Sequence, residues 1–405
     1  MEFKFNKYLS KIFWITLIVY SIIAFFYFNL KPAGGGDESL FISDLDLIKN
    51  QGWIVAIKKN ISIPYMLLAY PLSLFMKNYL ALRLVNLFLL SALFFYFINS
   101  KKYNLNFYGY LLFFISTVGY FYFGTNDTLF FICLVVFINE VNNLINYQKW
   151  NGTLALCMLV IVFFTRELVI VYLPLIFIAF YLIHQKKGWS TVKVIYPLSL
   201  LIIFVILNIP SLIEKGEFSH DLKSPPSNIE ATWAQRQYLA QLLVNKGELK
   251  NYQHPSWEQT QAYLDVNGKN SLPIGMLEGM YFDVSLTIKE FFKDLIYSFF
   301  YGFRQLGLIL FFTLFFLFKV RLINKRLNLN IFIPFSLLMM MSIFSLIIIS
   351  YVELRWLAPV FIATIIFYSN LEKDQKITKN IRHLNLFILI LLSNYGILKL
   401  LFKFI

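Results

Sequence analysis

Apolar residues fall in long unbroken runs along the chain, and short clusters of charged residues separate these runs. A helix of about 20 apolar residues crosses the hydrocarbon core of a bilayer. The run at 154–183 is too long for one such helix and is interrupted by Thr165-Arg166-Glu167, so we count it as two helices with the charged triplet at the turn. Further spans are predicted at 12–30, 80–98, 105–123, 128–144, 194–212, 295–318, 331–350, 356–369 and 384–402, which gives about eleven in all.

Two runs need a separate interpretation. The run at 61–75 is short and contains Pro64 and Pro71, which favours a re-entrant or interfacial segment. The first run follows Lys4, Lys7 and Lys11. It is longer than the roughly 7–15 apolar residues of a cleaved secretory signal, so it predicts an uncleaved signal anchor.

Composition supports a membrane protein and excludes a soluble one. Hydrophobic residues make up 59% of the 405 residues and charged residues only 14%, whereas soluble domains carry about 25% charged residues. The formal net charge is +14, but the cations lie in short loops rather than in a basic stripe that would bind nucleic acid. Alternation of the predicted spans places every short basic loop on one side, which the positive-inside rule identifies as the cytoplasm. We therefore expect an inner-membrane protein with a cytoplasmic N-terminus, in contact with the lipid bilayer and not with nucleic acid.

The predicted fold class is an all-α polytopic membrane protein with a small external helical cap. Residues 1–212 form an N-terminal transmembrane module of about seven spans with a first external loop at 31–79, and residues 295–405 form a C-terminal module of about four. Residues 213–294 between them are the only stretch with soluble character. Capping-box patterns at Ser227 to Glu230 and at Ser256 to Gln259 predict two helices there.

Unusual charged residues collect on the predicted external face. Charges at membrane depth are costly, so they are functional-site hypotheses by default. The alternative is interfacial salt bridges, such as Arg166 with Glu167 or Glu353 with Arg355, which contribute little when exposed. The set consists of Asp37 and Glu38 after three glycines, Arg83, Asp127, Arg166, Glu167, Glu353 and Arg355.

Such a set suits transfer of a group from a phosphate-linked donor embedded in the membrane. A carboxylate that is hydrogen-bonded to an acceptor hydroxyl can act as its general base. Arginines bind phosphate in bidentate geometry and stabilise charge that develops on it. Asp37, Glu38 and Asp127 also offer hard oxygen ligands to a divalent metal ion, and the sequence leaves that question open.

Several of these segments resemble motifs of the GT-C fold glycosyltransferases. Gly36-Asp37-Glu38-Ser39-Leu40-Phe41 is similar to the acidic motif of the family 39-like type, which includes protein O-mannosyltransferases and lipid A aminoarabinose transferases. Trp356 replaces the usual Tyr of the late element, the predicted spans are fewer than in well-known members, and no segment resembles their soluble C-terminal domain. The other similar segments are Ala81 to Asn86, Asp127, Thr165-Arg166-Glu167 with Tyr172-Leu173-Pro174, and Glu353 to Pro359.

The resemblance implies an inverting glycosyltransferase with a polyprenyl-phosphate sugar donor and an active site at the external, periplasmic face. It implies that Asp37 is the general base, that Glu38 supports it or binds the acceptor, and that Asp127 is a second carboxylate near the acceptor or a metal. Arg83, Arg166 and Arg355 are then the expected ligands of the donor phosphate. The sugar remains open, and so does the acceptor, which could be a protein, a lipid or a glycan.

Three other functions fit a chain of this kind. A transporter of lipid-linked sugars places its site near the bilayer midplane, whereas the charges here gather at one face. A polysaccharide polymerase or ligase has no acidic motif after its first span, so Asp37 distinguishes the two classes. A membrane scaffold predicts that Asp37→Asn has no effect.

Overall fold

The computed structural model describes residues 2–100, 103–220, 225–226, 228–323, 331–349 and 351–404. These residues form α-helices and short 3-10 helices, and no β-strand occurs among them. The α-helices are α1 (Glu2–Asn29), α2 (Glu38–Gln51), α3 (Trp53–Lys58), α4 (Ile63–Ser73), α5 (Asn78–Ser100), α6 (Leu105–Val118), α7 (Asp127–Tyr147), α8 (Gly152–Thr165), α9 (Val169–Gln185), α10 (Ile195–Lys215), α11 (Trp233–Asn245), α12 (Trp257–Asn267), α13 (Met276–Phe282), α14 (Val284–Leu306), α15 (Leu308–Ile323), α16 (Phe332–Leu346), α17 (Ala358–Lys373) and α18 (Lys379–Phe404).

The described helices are consistent with a polytopic membrane protein. Six are long and apolar enough to cross a membrane, namely α1, α5, α7, α10, α18, and α17 together with the turn before it. A seventh candidate is the pair α14 and α15, which meet at a bend of 120°. Four further apolar helices, α6, α8, α9 and α16, are 14 to 17 residues long. The predicted total of eleven requires that the bent pair and all four shorter helices cross the membrane, so it stays a prediction.

Local sequence explains where two of the predicted spans depart from a straight helix. The run at 154–183 forms two helices, as expected, because α8 ends at Thr165 and α9 begins at Val169. The run at 295–318 was expected to be one span, but it breaks at Gly307, which has a left-handed φ of 62°. The Asn385 side chain then accepts a hydrogen bond of 3.0 Å from the backbone N–H of Leu308 and so caps the first turn of α15.

The chain forms two compact units. The first comprises residues 1–221, 302–337 and 358–405, and the second comprises residues 222–301 and 338–357. The predicted cap thus belongs mostly to the second unit, whereas the predicted C-terminal module is divided between the two. Inside the first unit, the hydrophobic α7 is buried on all sides, as expected for a helix without a polar face. It packs against α5, α8, α9 and α17.

Helices α1 and α18 of the first unit pack side by side and run parallel. A Cβ atom on Gly396 would lie 2.6 Å from Cζ of Tyr20, so this glycine allows the two helices to approach closely. Earlier along both helices, Phe13 of α1 and Asn385 of α18 both contact Tyr110 of α6. Because residue numbers increase in the same direction along both helices, α1 and α18 are parallel.

The second unit has a small core of its own, formed by Tyr238, Leu239, Leu264, Leu272 and Ile348 with Ala231. Helix α12 begins with the predicted capping box of Ser256 and Gln259 and ends before Gly268. The other predicted box begins at Ser227, which lies outside the described residues, and helix α11 starts later than expected. A second capping box, in which Thr232 pairs with Gln235, sets the start of α11 at Trp233.

Candidate functional site

The connection between α6 and α7, residues 119–126, is the framework of the candidate site, and we call it the site loop. Gly119 ends α6 in the left-handed conformation with φ 61°, and a short 3-10 helix at Tyr120–Tyr122 follows. The buried side chain of Asn86 in α5 donates hydrogen bonds to the backbone carbonyls of Phe123 and of Thr125, the latter at 3.1 Å. These contacts hold the site loop firmly against α5.

Glu38 and Arg83 form a buried ion pair beside the site loop. Nε and Nη2 of Arg83 each donate a 2.7 Å hydrogen bond to one carboxylate oxygen of Glu38. The Glu38 carboxylate also accepts hydrogen bonds from the backbone N–H of Gly124 at 3.0 Å and of Gly34 at 3.1 Å. With Glu38 0% and Arg83 2% exposed, the pair joins the first external loop, α5 and the site loop.

The guanidinium of Arg83 is occupied entirely by protein acceptors. Its remaining N–H groups donate to the backbone carbonyls of Asn29 at 2.8 Å, Lys31 at 3.1 Å and Pro32 at 3.3 Å. A guanidinium has five N–H donors, and these three contacts with the two to Glu38 use all of them. In this arrangement Arg83, expected from the resemblance to bind the donor phosphate, has no donor left to offer one. The geometry instead makes Arg83 a positioning residue for the loop that carries Asp37.

Asp37 lies immediately before α2, at the end of the glycine segment. Gly36 before it has a left-handed φ of 62°, which a side chain would disfavour. The Asp37 side chain is half-buried, and its Oδ2 accepts a 2.9 Å hydrogen bond from the Tyr120 hydroxyl on the site loop. Asp37 is therefore fixed by its neighbour Glu38 and by Tyr120, and it keeps contact with solvent.

Asp127 begins α7 at the end of the site loop and pairs with Arg166. One Asp127 carboxylate oxygen contacts Nη1 of Arg166, and the side chains are 6% and 19% exposed, respectively. The turn that carries Arg166 is held by the Thr165 carbonyl, which accepts hydrogen bonds from Ser62 Oγ at 2.8 Å and from Asn126 Nδ2 at 3.0 Å. The structure thus pairs Arg166 with a carboxylate across the fold.

Three further residues were expected at the site, namely Glu167, Glu353 and Arg355. Glu167, next to Arg166, is exposed. Glu353 and Arg355 belong to the second unit, where the Arg355 Nε–H donates to Glu353 Oε2 at the start of a 3-10 helix. The structure brings Asp37, Glu38, Arg83, Asp127 and Arg166 to the site loop of the first unit. Glu353 and Arg355 are paired with each other, which is the salt-bridge alternative named in the sequence analysis.

Sequence reasoning missed the residues that hold the charged groups in place. Tyr120, Gly124 and Asn86 had been assigned no role, although each contacts a site carboxylate or the site loop itself. A weak signal was present, because Phe123-Gly124-Thr125-Asn126-Asp127 is a short polar break between two apolar runs. Their partners lie 37 to 86 residues away in the chain, so spacing alone does not reveal the contacts.

The described residues do not fit a divalent metal ion at this site. Nowhere in the described part of the chain do three His, Cys, Asp or Glu side chains come together as metal ligands. Glu38 and Asp127, two of the three expected ligands, direct their carboxylates at Arg83 and Arg166. We therefore derive no step through a metal.

The site combines one half-exposed carboxylate with two carboxylate–arginine pairs on a rigid loop. Chemically, this arrangement can accept a proton at Asp37 and bind an anion at the partly exposed Arg166. No family model, curated protein or solved structure matches the chain.

Proposed function

We propose that the chain is a membrane glycosyltransferase that moves a sugar from a polyprenyl-phosphate donor to an acceptor at the external face, with Asp37 as general base. The observation that carries the proposal is the environment of Asp37: a half-exposed carboxylate, bonded to Tyr120 and following a glycine turn. The buried ion pair that the next residue, Glu38, forms with Arg83 anchors that turn. Catalytic groups need this kind of pre-organisation.

The proposed reaction is a single displacement with inversion. Asp37 removes the proton from an acceptor hydroxyl, whose oxygen attacks the anomeric carbon of the sugar. The bond from that carbon to the phosphate oxygen breaks, and the polyprenyl phosphate leaves with the electron pair. Because negative charge develops on the leaving phosphate, a nearby arginine lowers the barrier.

The roles of the other residues follow from their contacts. Arg166 is the proposed phosphate ligand, because its side chain is partly exposed and Asp127 orients it. Glu38 and Arg83 are positioning residues for Asp37. Arg355 and Glu353 pair with each other in the second unit, and phosphate binding by Arg355 stays a prediction. The sugar and the acceptor stay open.

The first test compares Asp37→Asn with wild type in reconstituted vesicles. The donors are tritiated mannose and tritiated aminoarabinose, each on undecaprenyl phosphate, and the acceptors are membranes from cells that lack the chain. General-base catalysis contributes about 10²–10⁴-fold, so we expect Asp37→Asn to lower transfer by at least about 100-fold. Asp46→Asn is the matched control, because Asp46 is an exposed aspartate on α2, the helix that begins directly after Asp37. Equal rates for wild type and Asp37→Asn would contradict the proposal.

One observation favours a second candidate, a transporter of lipid-linked sugars. The 120° break between α14 and α15 gives a discontinuous helix, a feature of transporter sites. The same vesicles separate the two functions, because a transporter moves the labelled donor across the bilayer without cleaving it. Loss of the sugar–phosphate bond supports the transferase, whereas intact donor on the opposite leaflet supports the transporter.

A further inference from the structure

A basic cavity of about 240 Å³ lies in the first unit, between α1, α6, α18 and the last turn of α14, which carries Arg304. Four cationic residues line it: Lys31, Arg304, Lys399 and Lys403. None of its lining residues is an aspartate or a glutamate. The cavity is separate from the Asp37 carboxylate and from the Asp127–Arg166 pair, none of which lines it.

Two of these cations lie against aromatic rings of the cavity wall. The Arg304 guanidinium lies 5.0 Å from the centre of the Tyr395 ring, and Lys31 Nζ lies 4.8 Å from that of Tyr27. Lys399 and Lys403 are four residues apart on α18, a spacing at which like charges destabilise a helix. Four cations around one small volume repel each other, and an anion bound among them relieves this repulsion.

Lys31 loses part of its hydration at the cavity. Partial burial lowers the pKa of the Lys31 ammonium, because removal from water disfavours the charged form. An anion beside Lys31 would compensate for the lost hydration. The Lys31 carbonyl also accepts a hydrogen bond from Arg83, so the cavity adjoins the loop that carries Asp37.

The residues that precede three of the lining lysines in the sequence are apolar and exposed, which favours a lipid over a free anion as the ligand. On α18, Leu398 is 55% and Phe402 is 76% exposed, and at the end of α1, Leu30 is 70% exposed. In a bilayer, such side chains contact acyl or prenyl chains. A ligand with an anionic head and an apolar tail matches both parts of this surface.

We propose that this cavity binds the phosphate headgroup of a membrane lipid, with the four cations around the phosphate and the lipid tail along the exposed apolar faces of α1 and α18. The proposal does not depend on sugar transfer, because it concerns binding alone. The headgroup comes either from a polyprenyl phosphate or from an anionic phospholipid.

The test measures lipid binding to the whole protein in detergent by native mass spectrometry. The probes are undecaprenyl phosphate, phosphatidylglycerol, zwitterionic phosphatidylcholine and inorganic phosphate. The test variant is Lys399→Gln with Lys403→Gln, which removes two charges at exposed positions of α18. The control variant is Lys376→Gln with Lys379→Gln, which removes the same charge next to the other end of α18, also at exposed positions.

We expect wild type and the control variant to bind an anionic lipid more tightly than phosphatidylcholine. The test variant should bind the same anionic lipid about tenfold more weakly than wild type does. Preference for undecaprenyl phosphate would identify a polyprenyl phosphate as the ligand, and preference for phosphatidylglycerol a phospholipid. Equal binding by wild type and the test variant, or binding of inorganic phosphate alone, would overturn the proposal. Sugar transfer is measured separately, so failure of one proposal does not imply failure of the other.

Discussion

The ion pair of Glu38 and Arg83 has almost no solvent around it. Removing two charges from water is costly, and their attraction offsets that cost only if further hydrogen bonds satisfy both groups. Here two backbone N–H groups bind the carboxylate and three backbone carbonyls bind the guanidinium. The pair therefore fixes one conformation of the loop before α2, and with it the position of Asp37.

Loss of Arg83 leaves a buried carboxylate without a counterion. We expect Arg83→Met to reduce stability by about 3–5 kcal/mol, the usual cost of breaking a buried pair. Thermal unfolding of the protein in detergent measures the effect. Lys58→Met serves as the control, because the Lys58–Glu214 pair is exposed, and its melting temperature should match wild type. Similar melting temperatures for both variants would contradict the structural role of Arg83.

Gly124 allows the site loop to pass close to α5. A Cβ atom at this position would lie 2.3 Å from Cβ of Leu82 and 3.2 Å from Glu38 Oε1. We expect Gly124→Ala to displace the loop, to weaken the hydrogen bond from Gly124 to Glu38, and to lower both the melting temperature and sugar transfer. Gly35→Ala is the control, since a Cβ there meets nothing within 4 Å. Equal melting temperatures and equal sugar transfer for the two alanine variants would contradict a role for the close approach at Gly124.

At the scale of single residues, the sequence identified the charged side chains of the site but not all of the residues that they contact. Glu353 and Arg355, which are two residues apart in the chain, form the salt bridge that was the alternative to a functional role. Arg166, for which the neighbouring Glu167 was the simplest partner, instead pairs with Asp127, 39 residues away. Local spacing predicts contacts within one turn, but a contact across the fold depends on how the helices pack.

At the scale of helices, the break between α14 and α15 illustrates the same limit. The apolar run across Gly307 was interpreted as one span, and glycine alone is a weak signal for a break. The group that completes the break is Asn385, 77 residues beyond Leu308. By contrast, Thr165-Arg166-Glu167 predicted the break between α8 and α9, because two charged residues interrupt the apolar run at 154–183 in the sequence itself.

Asn385 should stabilise the bend through its bond to Leu308. It is fully buried, and loss of such a cap costs about 0.5–2 kcal/mol. We expect Asn385→Ala to lower the melting temperature in detergent by a few degrees. Asn380→Ala, at an exposed position near the start of the same helix, should leave it unchanged. Equal stability of Asn385→Ala and wild type would show that the bend does not need this cap.

For the whole molecule, the parallel arrangement of α1 and α18 restricts the topology. Each crossing reverses the direction of the chain. If α1 and α18 both cross the membrane in the same direction, the number of crossings from α1 through α18, counting both, must be odd. Eleven crossings meet this condition, and so do seven; six do not. Hydropathy predicted the class of protein and the approximate spans, but it contains no information about which helices pack together or how the chain divides into two units.

The sidedness is testable by labelling single cysteines with a membrane-impermeant maleimide in intact cells. In a background without Cys133 and Cys157, we expect Lys403→Cys to react from outside, because the predicted external face includes this end of α18. Lys376→Cys, near the other end, should react only after the membrane is opened. The reverse pattern would contradict both the predicted orientation and an external site.

The packing of Tyr20 against Gly396 also has a consequence for biosynthesis. The ribosome produces α1 before, and α18 after, every other described helix. Until α18 is made, the face of α1 that α18 finally covers must therefore contact lipid or the insertion machinery. Assembly of this part of the bundle finishes only after α18 has been inserted, and a nascent chain that stalls before α18 leaves α1 without its neighbour, a state that membrane proteases can recognise.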